Sequence, residues 1–288
     1  MPLSSKSFRP AVTAVAALVG LAAAGLATAR WWSPGPPAEV RTLESVLRRL
    51  AQGNDLGQQP LAFMVGSGTY TAQLAAQRGL CKPDQCDMFA QLNPYQRYGN
   101  GWDELMRQSY ALGDIEAWST SSGTVMIPRA AFRAYGPELG YLACTVAHEI
   151  AHVRRHHIFQ QSYHLHHHLH GLSEQAQTLA DRRRSRQLEL EADRDAATML
   201  ARAGYPGRVC QHDLEFMARS IGDGSITEPD STHPGYDERL AAMGAHYDAL
   251  TRKPPAAEPS TRASYTYNRA DNLLTLTPQR PAKPVAGR

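Results

Sequence analysis

The pentad His148-Glu149-Ile150-Ala151-His152 constrains this chain more than any other stretch. Two histidines four residues apart stack on one face only if the backbone is helical. The surrounding sequence agrees. Leu139, Leu142, Ala143, Val146, Ile150 and Val153 recur at 3.6-residue spacing, which predicts a helix from about Pro137 with that face in the core. His148 and His152 project from roughly the opposite side, where both imidazoles can meet one ion and Glu149 can reach a water held on it. With 12 histidines in 288 residues the pentad alone has a real chance background. The helical pattern around it lowers that background sharply.

An ion held for chemistry needs a third protein ligand and an open position. Glu189-Leu190-Glu191-Ala192-Asp193 supplies three carboxylates on a second predicted helix, about Ala180 to Ala203, closed by Gly204 and Pro206. Helical spacing puts Glu189 and Asp193 on the face of Ala196 and Leu200, and turns Glu191 towards solvent with Arg194 and Asp195. A core-facing carboxylate is costly without a partner. Glu189 is therefore the expected ligand, and Asp193, one turn on, can accept a hydrogen bond from a ligating histidine. The competing reading is an ordinary solvated acidic helix.

The remainder divides unevenly. Residues 1–29 carry Lys6 and Arg9, an Ala/Val/Leu run from Ala11 to Ala27, and a small-residue Ala27-Thr28-Ala29 cut site. They read as a signal peptide or, with Trp31 and Trp32 at the interface, as an uncleaved membrane anchor. Either places the rest outside the cytoplasmic membrane, in the periplasm or on the membrane's outer side. Residues 30–60 read as a Pro-rich linker and a helix from Ala38 to Ala51, and 61–250 as the main domain. Helices are expected at Thr71–Arg78, Trp102–Leu112, Val209–Ser220 and Asp237–Leu250. Ile115–Pro128 reads as one or two strands at an exposed sheet edge, with Gly123 permitting a bulge or close approach. Residues 251–288 are Pro-rich, with too little to bury, and read as a disordered tail. Within it, Ser264–Leu276 keeps some strand character.

A formal charge of +3 does not suggest a nucleic-acid partner, and no repeat of solenoid length is present. Cys81 and Cys86 flank a turn that a local disulfide could close. The pairing of Cys144 and Cys210 is open, and Cys144 reads best as a small buried apolar residue.

The order HEIAHV, then ELEADRDA, then Ser231-Thr232-His233-Pro234 with Arg239 beyond resembles the HtpX and CAAX prenyl protease family of zinc endopeptidases, over about 115–240. The resemblance implies an α+β, mainly helical, zincin-like metallopeptidase domain with a small sheet beside the HExxH helix. It implies one Zn2+ per chain on His148, His152 and Glu189, with Glu149 as base and Asp193 supporting a ligand histidine. It puts His233 near the metal, capping zinc or steadying the reacting carbonyl. An extended polypeptide adding to the Thr120–Ile127 edge would meet Gly123, Thr124 and Val125. Arg239 would contact substrate, or pair with Asp237 or a core carboxylate. The chain departs from the family in having at most one spanning segment and no appended helical repeats. The asparagine usual in the edge motif is also replaced around Ala117-Trp118.

Function on this reading is hydrolysis of unfolded or misassembled envelope polypeptides, with membrane association through the N-terminus and no nucleic acid. The alternative is a zinc-capped, chaperone-like binding protein with repressed proteolysis. A structural zinc protein is weaker still, since it has no use for Glu149. The run His164, His166, His167, His168, His170 reads as an exposed polar segment or flap rather than an accessory metal site. His156 is a candidate support for His152.

Overall fold

The computed structural model describes residues 35–99, 101–221 and 224–279. The export segment expected over 1–29 lies outside the described residues. Along the chain, α1 (Ala38–Gly53), β1 (Leu61–Gly66), α2 (Thr69–Gln77), α3 (Asp87–Ala90) and α4 (Trp102–Leu112) lead to a hairpin of β2 (Trp118–Ser119) and β3 (Thr124–Pro128). The helices α5 (Arg129–Tyr135), α6 (Leu139–Arg155), α7 (His157–His168), α8 (Glu174–Arg202), α9 (Val209–Ile221) and α10 (Tyr236–Arg252) follow, then a second hairpin of β4 (Ala263–Asn268) and β5 (Leu273–Pro278). The result is a mixed α+β fold, mainly helical, with one small open sheet. Among the described residues no helix is long and apolar enough to cross a membrane.

The helix pair at the centre follows from side-chain size. On α6, Ala143, Ala147 and Ala151 are buried, and on α8, Ala192, Ala196 and Ala197 are buried. Small residues on both faces let two backbones approach closely, and α6 and α8 pack along one another. The larger Leu142, Val146 and Ile150 fill the remaining space beside them. α1 buries Val40, Leu43, Val46, Leu47 and Leu50 along one stripe and lays it on α6 and α8. α8 starts at Glu174 rather than Ala180, because Ser173 caps it by accepting a bond from the Ala176 N–H at 3.4 Å.

The sheet order is β2-β3-β1-β5-β4. β1 is central, with Phe63 opposite Val125 in parallel β3 and opposite Leu274 in antiparallel β5. This order corrects two expectations. The tail beyond 251 is not disordered over 263–278, where it forms the β4–β5 hairpin and buries Leu274 and Leu276 beside β1. Averaged composition hides this, because the alternation of Leu, Thr and Tyr is confined to a few residues between the prolines. Asn272 locks the hairpin from a left-handed φ of 51°, its buried Nδ2 donating to the Val65 carbonyl at 2.6 Å.

The second correction concerns the sheet edge. β3 is an interior strand, and the edge on its side of the sheet is β2, whose Trp118 and Ser119 pair with Met126 and Val125. Gly123, at φ 86°, serves the turn between them. Its N–H bonds to the Thr120 carbonyl at 3.1 Å, and its own carbonyl accepts from Ala62 at 2.9 Å. The Thr120–Ile127 segment therefore has no free edge at Thr124 or Val125 to offer an extended peptide.

A third correction concerns Cys144, which is not a lone buried thiol. It is disulfide-bonded to Cys210 and ties α6 to α9, while Cys81–Cys86 closes the local loop as expected.

Candidate metal centre

The αα contact decides the site. His148 and His152 rise one turn apart from α6, and Glu189 reaches across from α8. His148 Nε2 lies 3.0 Å from His152 Nε2 and 3.2 Å from Glu189 Oε2, and His152 Nε2 lies 3.5 Å from Glu189 Oε1. Ligand atoms around a tetrahedral zinc, each about 2.0–2.1 Å from the ion, sit about 3.3 Å apart. The triangle matches that spacing, so the three residues fit a divalent ion. Two imidazole nitrogens facing each other this closely beside a carboxylate also form an arrangement that an ion or a proton must hold together.

Neighbouring bonds aim these side chains. His148 Nδ1 lies 3.0 Å from Asp193 Oδ1; donating its proton there leaves Nε2 with a free lone pair. Asp193 is in turn held by Arg239, whose Nε and Nη2 donate at 2.9 and 2.8 Å to its two oxygens. Arg239 thus pairs with a core carboxylate rather than with Asp237. Both of these guanidinium bonds go to Asp193, so Arg239 acts as a strut for that carboxylate, and its side chain also lines the cavity wall. His152 Nδ1 lies 3.1 Å from Nδ1 of His157. The expected support, His156, instead takes the left-handed conformation at φ 55° that ends α6, and is exposed. That break rotates the next residue back, so His157 is the one buried against His152. The sequence holds a weak signal for the swap, since adjacent histidines at a helix end are interchangeable until the break is placed.

The electrostatics follow from burial and partners. Burial disfavours a charged His148, but bonds to Asp193 and Glu189 override it and push the imidazole up to about 10. Burial would raise Asp193, yet Arg239 and then His148 hold it well below the usual carboxylate range. Glu189 is likewise held well below its ordinary value by its bonds to His148 and His152. His157, buried and beside the His152 ring, is pulled down to about 4 and stays neutral, as an acceptor for His152 must. Without an ion, the two carboxylates favour a protonated His148.

A cavity of about 390 Å³ opens over the cluster, lined on one side by Glu116, Ala117, Trp118 and Ser119 of the true edge, and on the other by α9 and α10. Glu149 is buried and lines it too. His233 reaches in from the 224–235 loop with Nε2 3.6 Å from Glu189 Oε2, its side chain mostly exposed. Arg186 fixes that loop through the Pro229 and Ser231 carbonyls at 2.9 and 2.7 Å. Gly123 and Val125 are buried in and beside β3, and neither they nor Thr124 lines the cavity.

Fold and site together define a mixed α+β protein with a buried His-His-Glu cluster geometrically compatible with a metal ion. Compared with known proteins, the chain matches no family model, no curated protein and no solved structure.

Proposed function

We propose that this chain is a zinc-dependent metalloendopeptidase of the HtpX and CAAX prenyl protease type, holding one Zn2+ per chain on His148, His152 and Glu189. The observation that carries this reading is the convergence of two Nε2 atoms and one carboxylate from separate helices, within 4.8 Å of one another, under a cavity that Glu149 also lines. Bound there, zinc supplies Lewis acidity towards water and a scissile carbonyl. Glu149 takes the proton from the attacking water and returns it to the leaving amine. Asp193 and Arg239 keep the His148 ring in register, and His233 donates to the developing oxyanion from the open side. An extended polypeptide lies along Ala117–Ser119, where β2 leaves its outer edge unpaired among the described residues.

The substrates are unfolded or misassembled envelope proteins, met after export to the periplasm or the outer side of the cytoplasmic membrane, with residues 1–29 as leader or membrane anchor. Two disulfides, with no free cysteine left, support an oxidising compartment. Metal analysis with digestion of a denatured protein tests the enzyme. Wild type should hold about one zinc per chain and cleave, whereas Glu149→Gln should keep the zinc and lose cleavage. Equal cleavage by the two sinks the mechanism.

The position of His233 favours a second reading, a zinc-capped, chaperone-like binding protein with proteolysis repressed. At 3.6 Å from a ligand oxygen its ring is close enough to close the site. His233→Ala would then raise cleavage, whereas the enzyme reading expects it to fall.

A further inference from the structure

Asp213, on α9, is not used by the chemistry above. It is 3% exposed, its Oδ1 has no hydrogen-bond partner, and it lines the same cavity as the metal cluster. Burial holds the carboxyl well above the usual carboxylate range, offset only in part by the nearby Arg239 charge and then by the Tyr135 hydroxyl, itself bonded to Thr145 Oγ1 at 2.9 Å. Unlike Asp193, Asp213 has no guanidinium bonded to it. A buried carboxyl short of partners is costly for a fold to keep, and a purely apolar pocket has no need of one.

The surroundings say what would complete it. Leu214, Met217 and Met243 form apolar walls suited to a methylene stem. Five carboxyl groups line the cavity (Glu116, Glu149, Glu189, Asp193 and Asp213) against one guanidinium, that of Arg239. With Asp213 counted as neutral, as its burial favours, the other four carboxylates still outnumber Arg239 and a divalent ion by one formal charge, and a cation brought beside Asp213 would favour its ionised form. A neutral or acidic side chain gains nothing from that field, and a cation does.

We infer that this cavity is a specificity site for a basic side chain, lysine or arginine, of the bound polypeptide, with the stem along Leu214 and Met217 and the cationic head on Asp213. The inference rests on the peptidase reading for its substrate, but on Asp213 and the cavity for its chemistry.

The test uses the zinc-loaded full chain and peptides identical except for lysine, arginine, norleucine or glutamate, scanned through the positions beside the cleaved bond. At one position, kcat/KM for lysine and arginine should exceed norleucine by at least about tenfold, with glutamate poorest. Asp213→Asn, close to Asp in shape, should collapse the lysine-to-norleucine ratio towards one. Norleucine cleaved as well as lysine by wild type overturns the inference without any variant, and so does a preference that survives Asp213→Asn in folded protein. A second measurement separates this inference from the reading beneath it. Binding of the lysine and norleucine peptides to Glu149→Gln, by calorimetry, should show the same Asp213-dependent preference. Preference in binding with no cleavage by wild type keeps the cation site and removes the peptidase. Cleavage with no preference does the reverse, and neither cleavage nor preference removes both.

Discussion

Two stretches of this chain are crowded with histidine and do opposite things. Residues 148–157 hold His148, His152, His156 and His157, and three of those rings are drawn into one buried cluster. Residues 164–170 hold five, and their side chains are largely exposed along α7 and the turn after it. There the rings stack only on their neighbours, His164 against His168 at 5.4 Å and His167 against Tyr163 at 4.2 Å. The two regions differ in what faces them. α6 packs against a helix that delivers Glu189 and Asp193, while no acidic group joins the α7 rings to make a second three-residue cluster among the described residues. Histidine content therefore does not by itself bring candidate ligands together; here a facing helix supplies the carboxylate and the partner for a ring nitrogen.

The comparison breaks most readily at Glu189. Glu189→Ala should abolish stoichiometric zinc binding, measured by metal analysis after gel filtration. Replacing His164, His167, His168 and His170 with asparagine should leave the stoichiometry near one. Loss of tight zinc in the second variant would reverse the argument.

Cys144 and Cys210 test whether α9 must be clamped to α6. The bond closes a loop of 66 residues, worth about 4 kcal/mol on the loop-entropy account. The double alanine variant should show a loss of that order in denaturant unfolding. A loss under about 1 kcal/mol would mean packing alone holds the wall of the cavity.

Asp193→Asn leaves His148, His152 and Glu189 in place but removes the charge and leaves one acceptor oxygen for His148 Nδ1 and the Arg239 guanidinium to share. Zinc affinity should weaken by about 10–100-fold in competition with a chelator. Stability should fall by about 3–5 kcal/mol, the cost of leaving a buried guanidinium without its charged partner. An unchanged affinity would show that α6 alone orients the ligands.

A further expectation concerns pH. His148, raised to about 10 from an unfolded value near 6.5, stabilises the metal-free fold fully below about pH 6.5, and that contribution is lost as pH rises through 10. The melting temperature of the metal-free chain should therefore decline over that window, and zinc binding at pH 8 should release about one proton. The asparagine replacements on α7 should leave both observations unchanged, sharpening the contrast between the two stretches.

How much of this could be read from residues alone varies by element. The α6 pattern and the face argument for Glu189 over Glu191 needed only helical period and the cost of burying a charge. In the structure Glu191 is half-buried, with an oxygen 3.6 Å from His157 Nε2, while Glu189 faces His148 and His152. His157 was hidden because a single left-handed residue, His156, resets the phase of everything after it. The β2 edge was hidden because strand order is a long-range choice, and Val125-Met126-Ile127 is as good an edge as an interior strand until β1 pairs with it. Asp213 was invisible, since nothing local marks one aspartate on an amphipathic helix as the one turned into a cavity.

The sequence by itself determined where helices run, which of their faces are apolar, and that two imidazoles and a carboxylate are available on separate helices, because 3.6-residue periodicity is a local property of the chain. Only the tertiary structure decided that α6 and α8 approach closely enough for those groups to share about 3 Å, that Arg239 anchors Asp193, and that Cys210 rather than solvent meets Cys144. Those outcomes depend on which distant surfaces pack together, and packing energy belongs to pairs of elements that no single stretch of sequence contains.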